Sequence, residues 1–197
     1  MPYECIEVTK NNHVTSVLLN RPDAMNAITP EMHHELQAAF DDFAADSDQF
    51  VCVIRGAGER AFCAGSDLKN IAAGGFKAYP KSGYAGLIER FDLNKPLIAA
   101  VDGFALGGGF EVALACDIII ATNRSSFGLP EPLVGAVALG GGVHRLARQI
   151  GLKQAMGMVL TADRVTAEEG FRMGFITQLV EAEALDAAVI DVCQKIL

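Results

Sequence analysis

Two glutamates, Glu111 and Glu131, stand where a carboxylate could work on a bound molecule. Glu111 closes the run Phe104-Ala105-Leu106-Gly107-Gly108-Gly109-Phe110-Glu111, and Glu131 lies in Phe127-Gly128-Leu129-Pro130-Glu131-Pro132-Leu133-Val134-Gly135. Each follows a short segment able to present bare backbone N–H groups. Paired carboxylates beside polarising amides suit proton transfer next to a carbonyl. A third segment, Ala61-Phe62-Cys63-Ala64-Gly65-Ser66-Asp67-Leu68, offers a second amide donor.

The glycines of the 107–109 run let the backbone approach a ligand and adopt positive φ. The helix expected after them turns its unsatisfied N–H groups and positive dipole end toward that ligand. A tight strand-to-helix turn explains a glycine triplet taken alone equally well. The run is neither a Gly-x-Gly-x-x-Gly dinucleotide fingerprint nor a phosphate loop. Glu111 falls in the first turn of a helix continued by Val112, Ala113, Leu114 and Ala115, where a buried carboxylate is costly without a task. Glu131 is stiffened by Pro130 and Pro132; alone it reads as a helix-opening residue. Together, two close carboxylates push their titrations apart, so one can act as an acid while the other holds a water.

Other reactive side chains fit less well. His33-His34 has no second ligand pair and reads as a solvated helix face. His144, in a glycine-rich helix start, reads as a surface or packing residue, with a place beside the ligand as the alternative. Ser66 lacks the Gly-x-Ser-x-Gly context of a hydrolase, and Cys63 has no placed histidine to activate it.

The elements that must position these groups are an α/β set. Residues 3–10 and 13–20 are expected to form a hairpin turning at Asn11-Asn12. Thr29 and Pro30 cap a helix whose apolar face carries Met32, Leu36, Ala39, Phe40 and Phe43. Val51–Ile54, Leu97–Val101 and Ile118–Ala121 are continuous apolar runs, expected as strands with helices on their faces. Helices are expected over 67–73, 108–116, 142–150 and 154–160, and Thr166-Ala167-Glu168-Glu169 is a capping box opening another. Residues 74–86 are expected to form a mobile surface loop. The apolar stripe of residues 184–197 stops at Leu197 without a cap, so that face is expected to meet a continuation or a partner subunit.

With 197 residues the chain can bury one sizeable core. A net charge of -8 opposes a nucleic-acid surface, which needs clustered Lys and Arg. No apolar stretch is long enough to span a bilayer, and Glu4 and Glu7 interrupt any leader. Five cysteines without a Cys-x-x-Cys point to a reduced, cytoplasmic protein.

In order along the chain, several segments resemble the crotonase (enoyl-CoA hydratase/isomerase) superfamily: Asn20-Arg21-Pro22-Asp23-Ala24-Met25-Asn26-Ala27, Ala61 to Leu68, Lys95 to Gly103, Gly107 to Glu111, Cys116 to Ile119, Phe127 to Glu131, and Leu160 to Val165. The resemblance implies one crotonase-like domain over residues 1–197, lacking the family's C-terminal helical segment. It implies a repeated β-β-α superhelix with covering helices, assembled as a homotrimer or a dimer of trimers. The N–H groups of Ala64 and Gly108 match the family's oxyanion hole, which grips a thioester carbonyl as it becomes an enolate. Ala64, Gly65, Ser66, Asp67 and Leu68 match the stretch along the thioester and pantetheine. Ala24 and Met25 match the region near the nucleotide end of coenzyme A, and Gly107 and Leu139 are further substrate-binding positions, Leu139 beside the acyl pocket.

Because both Glu111 and Glu131 are present, the resemblance implies hydration of 2-enoyl-CoA, a lyase reaction of fatty acid metabolism. Coenzyme A enters as part of the substrate, with no other cofactor, metal, nucleic acid or membrane. An enoyl-CoA isomerase, a specialised hydroxyacyl-CoA dehydratase such as one acting on carnitinyl-CoA, and a non-catalytic acyl-CoA-binding homologue are the alternatives. Arg21, Arg60 and Lys69 are the candidates to meet the CoA phosphates. The family's usual Pro-Gly is Ala138-Leu139 here. The bulk of Leu139 is expected to reshape the acyl pocket or favour dehydration of a particular hydroxyacyl-CoA.

Overall fold

A computed structural model describes residues 3–74 and 78–197. Strands β1 (Ile6–Asn11) and β2 (Val14–Leu19) pair antiparallel. The turn is Asn12-His13, with φ of 47° and 67°, one residue beyond the expected Asn11-Asn12. Asn11 stays in the ladder opposite Val14, and a two-residue loop with both φ positive suits the twist of the flanking strands. His13 is held in this unusual conformation by stacking on Phe50, with ring centroids 4.8 Å apart.

Helix α1 (Pro30–Ala45) starts as expected: the Thr29 side chain accepts the Met32 N–H, and Met32, Leu36, Ala39, Phe40 and Phe43 are buried. Then come β3 (Val51–Gly56), β4 (Ala61–Cys63) and α2 (Leu68–Ala72). The next turn is β5 (Leu97–Val101), β6 (Phe104–Leu106) and α3 (Gly108–Ala115). The third is β7 (Ile118–Thr122), β8 (Ser126–Gly128) and, after a short 3-10 turn, α4 (Gly142–Ile150). Each turn lays its first strand in a large sheet and its second in a small one, the repeated β-β-α superhelix. Helix α5 (Leu152–Thr161), strand β9 (Arg164–Thr166), helix α6 (Ala167–Met173), strand β10 (Gln178–Val180) and helix α7 (Leu185–Ile196) complete the chain.

The large sheet runs β1-β2-β3-β5-β7-β10, parallel from β2 onward. Its central strands are apolar on both faces because both faces are covered. Cys52, Ile54, Ala99, Val101, Ile119 and Ala121 join α1 and α3 in the main core. On the other face, Val51, Val53, Ile98, Ala100 and Ile120 pack against Leu185, Ala188, Val189 and Cys193 of α7. The first part of the α7 stripe is therefore buried by the chain's own sheet, while Ile196 and Leu197 at its end are exposed. The small sheet runs β4-β6-β8-β9.

The 74–86 segment also departs from expectation. Residues 75–77 lie outside the described residues, but Tyr84, Ala85 and Gly86 are buried in a 3-10 turn against α1, not in a surface loop. Among the described residues no helix is long and apolar enough to cross a membrane, and all five cysteines are free thiols.

Asn26 ties the segment before α1 to the first turn of the superhelix. It is fully buried with φ of 53°. Its side chain donates to the carbonyls of Ala57 (3.0 Å) and Ala61 (2.8 Å) and accepts the Arg21 N–H (2.9 Å). Asn26→Ala strands three backbone groups. Chemical denaturation should show a loss of about 1–3 kcal/mol, the cost of leaving the buried Ala61 carbonyl unsatisfied, since the other two bonds are part-buried.

Candidate active site

The two carboxylates reach one cavity because β6 and β8 are neighbours. Leu106 pairs with Gly128, and the Gly107 N–H donates to the Gly128 carbonyl at 2.9 Å. Immediately beyond this rung, one chain turns into α3 and the other into the 3-10 turn Glu131–Val134. Gly107 makes its turn with φ of 53° and ψ of -128°, a conformation suited to glycine. Gly108 is the first helical residue, so its N–H has no intrahelical acceptor. Gly109 seats α3 on β4: a Cβ there would overlap the Cys63 carbonyl.

The second amide-bearing segment differs from expectation by two residues. The Ala64 N–H donates to the Met25 carbonyl at 3.0 Å, so it is not free to polarise a ligand. Ser66 forms a parallel bridge with Ile28, in which the Gly65 carbonyl and the Asp67 N–H both face Ile28. Backbone groups alternate sides along an extended chain. The Ser66 N–H therefore points away from Ile28, into the cavity wall formed with Gly108. Gly65 brings the two peptides together, since a Cβ on it would lie 3.1 Å from the Gly108 nitrogen and 3.0 Å from the Leu106 carbonyl. Ser66 and Gly108 are thus the amide pair this geometry offers.

Glu111 is 4% exposed. Its Oε1 accepts the Gly142 N–H at 2.8 Å. Burial raises its carboxyl to about 7, opposed by the Gly142 and Gly140 amides and Arg145 and reinforced by the charge of Glu131. The approach requires glycine at 140 and 142: a Cβ on Gly140 would overlap the carboxylate, and one on Gly142 would sit 3.0 Å from Oε1. Glu131 is half-buried; its Oε1 would lie 3.2 Å from a Cβ on Gly107. Its Oε2 is buried and has no hydrogen-bond partner among the described residues. Burial raises this carboxyl too. A buried carboxylate oxygen without a protein donor, beside a second carboxylate, is fitted to a proton or a hydrogen bond from a ligand.

Glu111, Glu131, Gly107 and Gly108 line a cavity of about 630 Å3, with Ala64, Gly65, Ser66, Leu68 and Leu139. Leu139 projects at the rim, 83% exposed, while Ala138 is buried. Ala24, Met25 and Asp67 are not in the wall. Met25 helps through its carbonyl, and Asp67 caps α2 and pairs with Arg21 at 3.0 Å. Arg21 is thereby committed within the protein, also donating to the Ala27 carbonyl. Arg60 and Lys69 are exposed and outside the wall. His144 is exposed and likewise outside it. His33 corrects the expected solvated face: it is buried, its Nδ1 accepts the Ala85 N–H at 2.8 Å, and burial lowers its pKa to about 4. Tyr79, Tyr84, Ile88 and Glu89 complete the far wall. Sequence reading missed these because the segment carrying them has no helical or strand period.

An enoyl-CoA hydratase/isomerase family model matches residues 9–197. The carnitinyl-CoA dehydratase of Proteus mirabilis is 43% identical over 188 residues, covering 94% of this chain and 72% of that protein. Among solved structures, a carnitinyl-CoA dehydratase from Mycobacterium avium 104 superposes with a TM-score of 0.93 at 37% identity, covering 98% of this chain and 76% of that one. An enoyl-CoA hydratase from Mycobacterium tuberculosis H37Rv gives 0.91 at 38% identity, covering 98% and 75%. The chain belongs to the enoyl-CoA hydratase/isomerase family, with the crotonase fold. Its relatives are named as lyase-type enzymes, and the chain is an enzyme of that kind.

The buried Glu111 carries a consequence for stability. Its folded-state value of about 7 lies above the ordinary 4.5, so folding takes up a proton between the two. Stability from this group is full below pH 4.5 and falls as pH rises through 7. Glu111→Gln removes that dependence. The variant should gain about 3 kcal/mol over the wild type at pH 8 and almost nothing at pH 4, read from denaturation midpoints at the two pH values.

Proposed function

We propose that the protein adds water across the C2–C3 double bond of a 2-enoyl-CoA, giving 3-hydroxyacyl-CoA, and catalyses the reverse dehydration. The observation that carries this reading is the placement of two raised carboxylates beside the free amides of Gly108 and Ser66. The thioester carbonyl is held by those two N–H groups, with Ser66 taking the place first expected of Ala64. Water attacks C3 as one carboxylate takes its proton, and the electron pair moves through C2 to the carbonyl oxygen. The resulting enolate collapses by taking a proton at C2 from the other carboxylate. The charge that develops on oxygen faces fixed donors that need no reorganisation, typically worth about 2.7–4 kcal/mol per donor.

Leu68 and Gly65 lie along the thioester arm, Ala24 and Met25 border the route toward the nucleotide, and Gly107 and Leu139 border the acyl end. Coenzyme A arrives only as part of the substrate, with no further cofactor. The protein works in the cytoplasm, in fatty acid metabolism, as a homotrimer or dimer of trimers, with no nucleic acid or membrane partner.

A second reading is favoured by the relatives named carnitinyl-CoA dehydratase and by Ala138-Leu139 at the acyl end. In it the same groups run mainly as a dehydratase of a hydroxyacyl-CoA of that kind.

Crotonyl-CoA hydration, followed by loss of the enoyl-thioester absorbance, tests the carboxylate roles. Glu111→Gln and Glu131→Gln should each lower kcat by about 10^2–10^4, the usual range for a positioned acid or base. A wild type inactive on crotonyl-CoA but active on carnitinyl-CoA would select the second reading. Turnover that survives both substitutions would exclude the two-carboxylate mechanism.

A further inference from the structure

Tyr84 stands where the two amide-bearing segments meet, and the carboxylate chemistry leaves it without a role. Its side chain is buried, and its hydroxyl lies 3.1 Å from the Ser66 Oγ. The same oxygen and the adjoining ring carbon fill the space that a Cβ on Gly108 would need. One phenol therefore touches both segments whose N–H groups face the cavity.

The ring itself is held from behind. It meets the His33 imidazole edge-on at 4.6 Å and the Tyr79 ring at 5.7 Å. The turn carrying it is strained: Ala85 is fully buried with φ of 54°, a left-handed conformation for a residue with a Cβ. Such a residue is costly and persists only where its surroundings over-determine it. Two contacts with α1 do so here. The Ala85 N–H donates to the His33 Nδ1 at 2.8 Å. Gly86, at φ of 60°, lies so close to the Gln37 backbone that no Cβ would fit.

We infer that Tyr84 is a positioning residue whose hydroxyl spans Ser66 and Gly108 and fixes the separation of their N–H groups. This rests on reading those amides as the oxyanion hole. Removing the hydroxyl leaves the Ser66 side chain without its partner and a gap against Gly108. The two segments can then drift apart, and donors that must be in place before charge develops lose that preorganisation.

The test is the carbonyl stretching frequency of 13C-labelled butyryl-CoA bound to the wild type and to Tyr84→Phe, which needs no turnover. The wild type should lower the frequency relative to free thioester, and Tyr84→Phe should return it part of the way. On enoyl-CoA, kcat should fall about tenfold, with KM within about twofold and Tm within about 2 °C. Ser66→Ala should produce the same loss, and the double variant no further loss, because both act through one contact. A frequency unchanged between Tyr84→Phe and a polarising wild type overturns the positioning role alone. So do losses that multiply in the double variant, or a kcat that falls with Tm while the frequency stays put. A wild type that leaves the carbonyl unshifted overturns the oxyanion reading and this inference together.

Discussion

The two carboxylates and the two amide-bearing segments are delivered to the cavity by the carboxyl ends of three-residue strands. β4, β6 and β8 pair parallel in a sheet too small to be stable alone. They keep their register because each is the short continuation of a long strand in the large sheet, buried on both faces. The rung between Gly107 and Gly128 then sets where α3 and the Glu131 turn begin. A one-residue slip in that pairing would turn every following side chain to the opposite face. The chemistry is thus referenced to the large sheet by a few backbone hydrogen bonds.

Electrostatics works against the fold at the same place. Two carboxylates share a largely apolar wall, and both are pushed toward their neutral forms by burial. Glu111 is partly compensated by the Gly142 and Gly140 amides, whereas the Oε2 of Glu131 has no donor among the described residues. A satisfied pair would be more stable and less reactive, since a carboxylate already holding strong donors has little tendency to take a proton. The unequal compensation keeps the two groups chemically distinct, the condition for one to give a proton while the other receives one.

Much of this was legible in the sequence. The capped start of α1, the apolar runs of β3, β5 and β7, the bounds of α4 and the pairing of Glu111 with Glu131 all follow from local pattern or ordered motifs. What was not legible has one cause: a short segment's role depends on what lies across from it. The three-residue strands carry too few residues to show a period. Ala64 and Ser66 look equally able to donate until Ile28 fixes which backbone groups face inward. His33 and Tyr84 appear exposed from the helix and loop patterns, yet the Ala85 turn folds back onto α1 and buries them. The partner of the first part of the α7 stripe, Leu185 to Cys193, is the back of a sheet assembled from residues far earlier in the chain.

The glycines show how far backbone shape, rather than side-chain chemistry, defines the site. A Cβ would collide with the Tyr84 hydroxyl at Gly108, the Cys63 carbonyl at Gly109 and the Glu111 carboxylate at Gly140, and would crowd the Gly108 nitrogen at Gly65, the Glu131 carboxylate at Gly107 and both Ala138 and the Glu111 carboxylate at Gly142. A conventional core gains stability by filling such space with methyl groups, at about 25 cal/mol per Å2 of apolar surface buried. Here the space is filled by polar atoms brought within contact of main chain. The arrangement forgoes that hydrophobic gain and the conformational restriction a side chain would give the unfolded chain. In return, two carboxylates and two amides converge on a volume a thioester can enter. In the proposed reaction Glu111 and Glu131 supply the reactivity, and the bare backbone around them is what brings both carboxylates to one cavity.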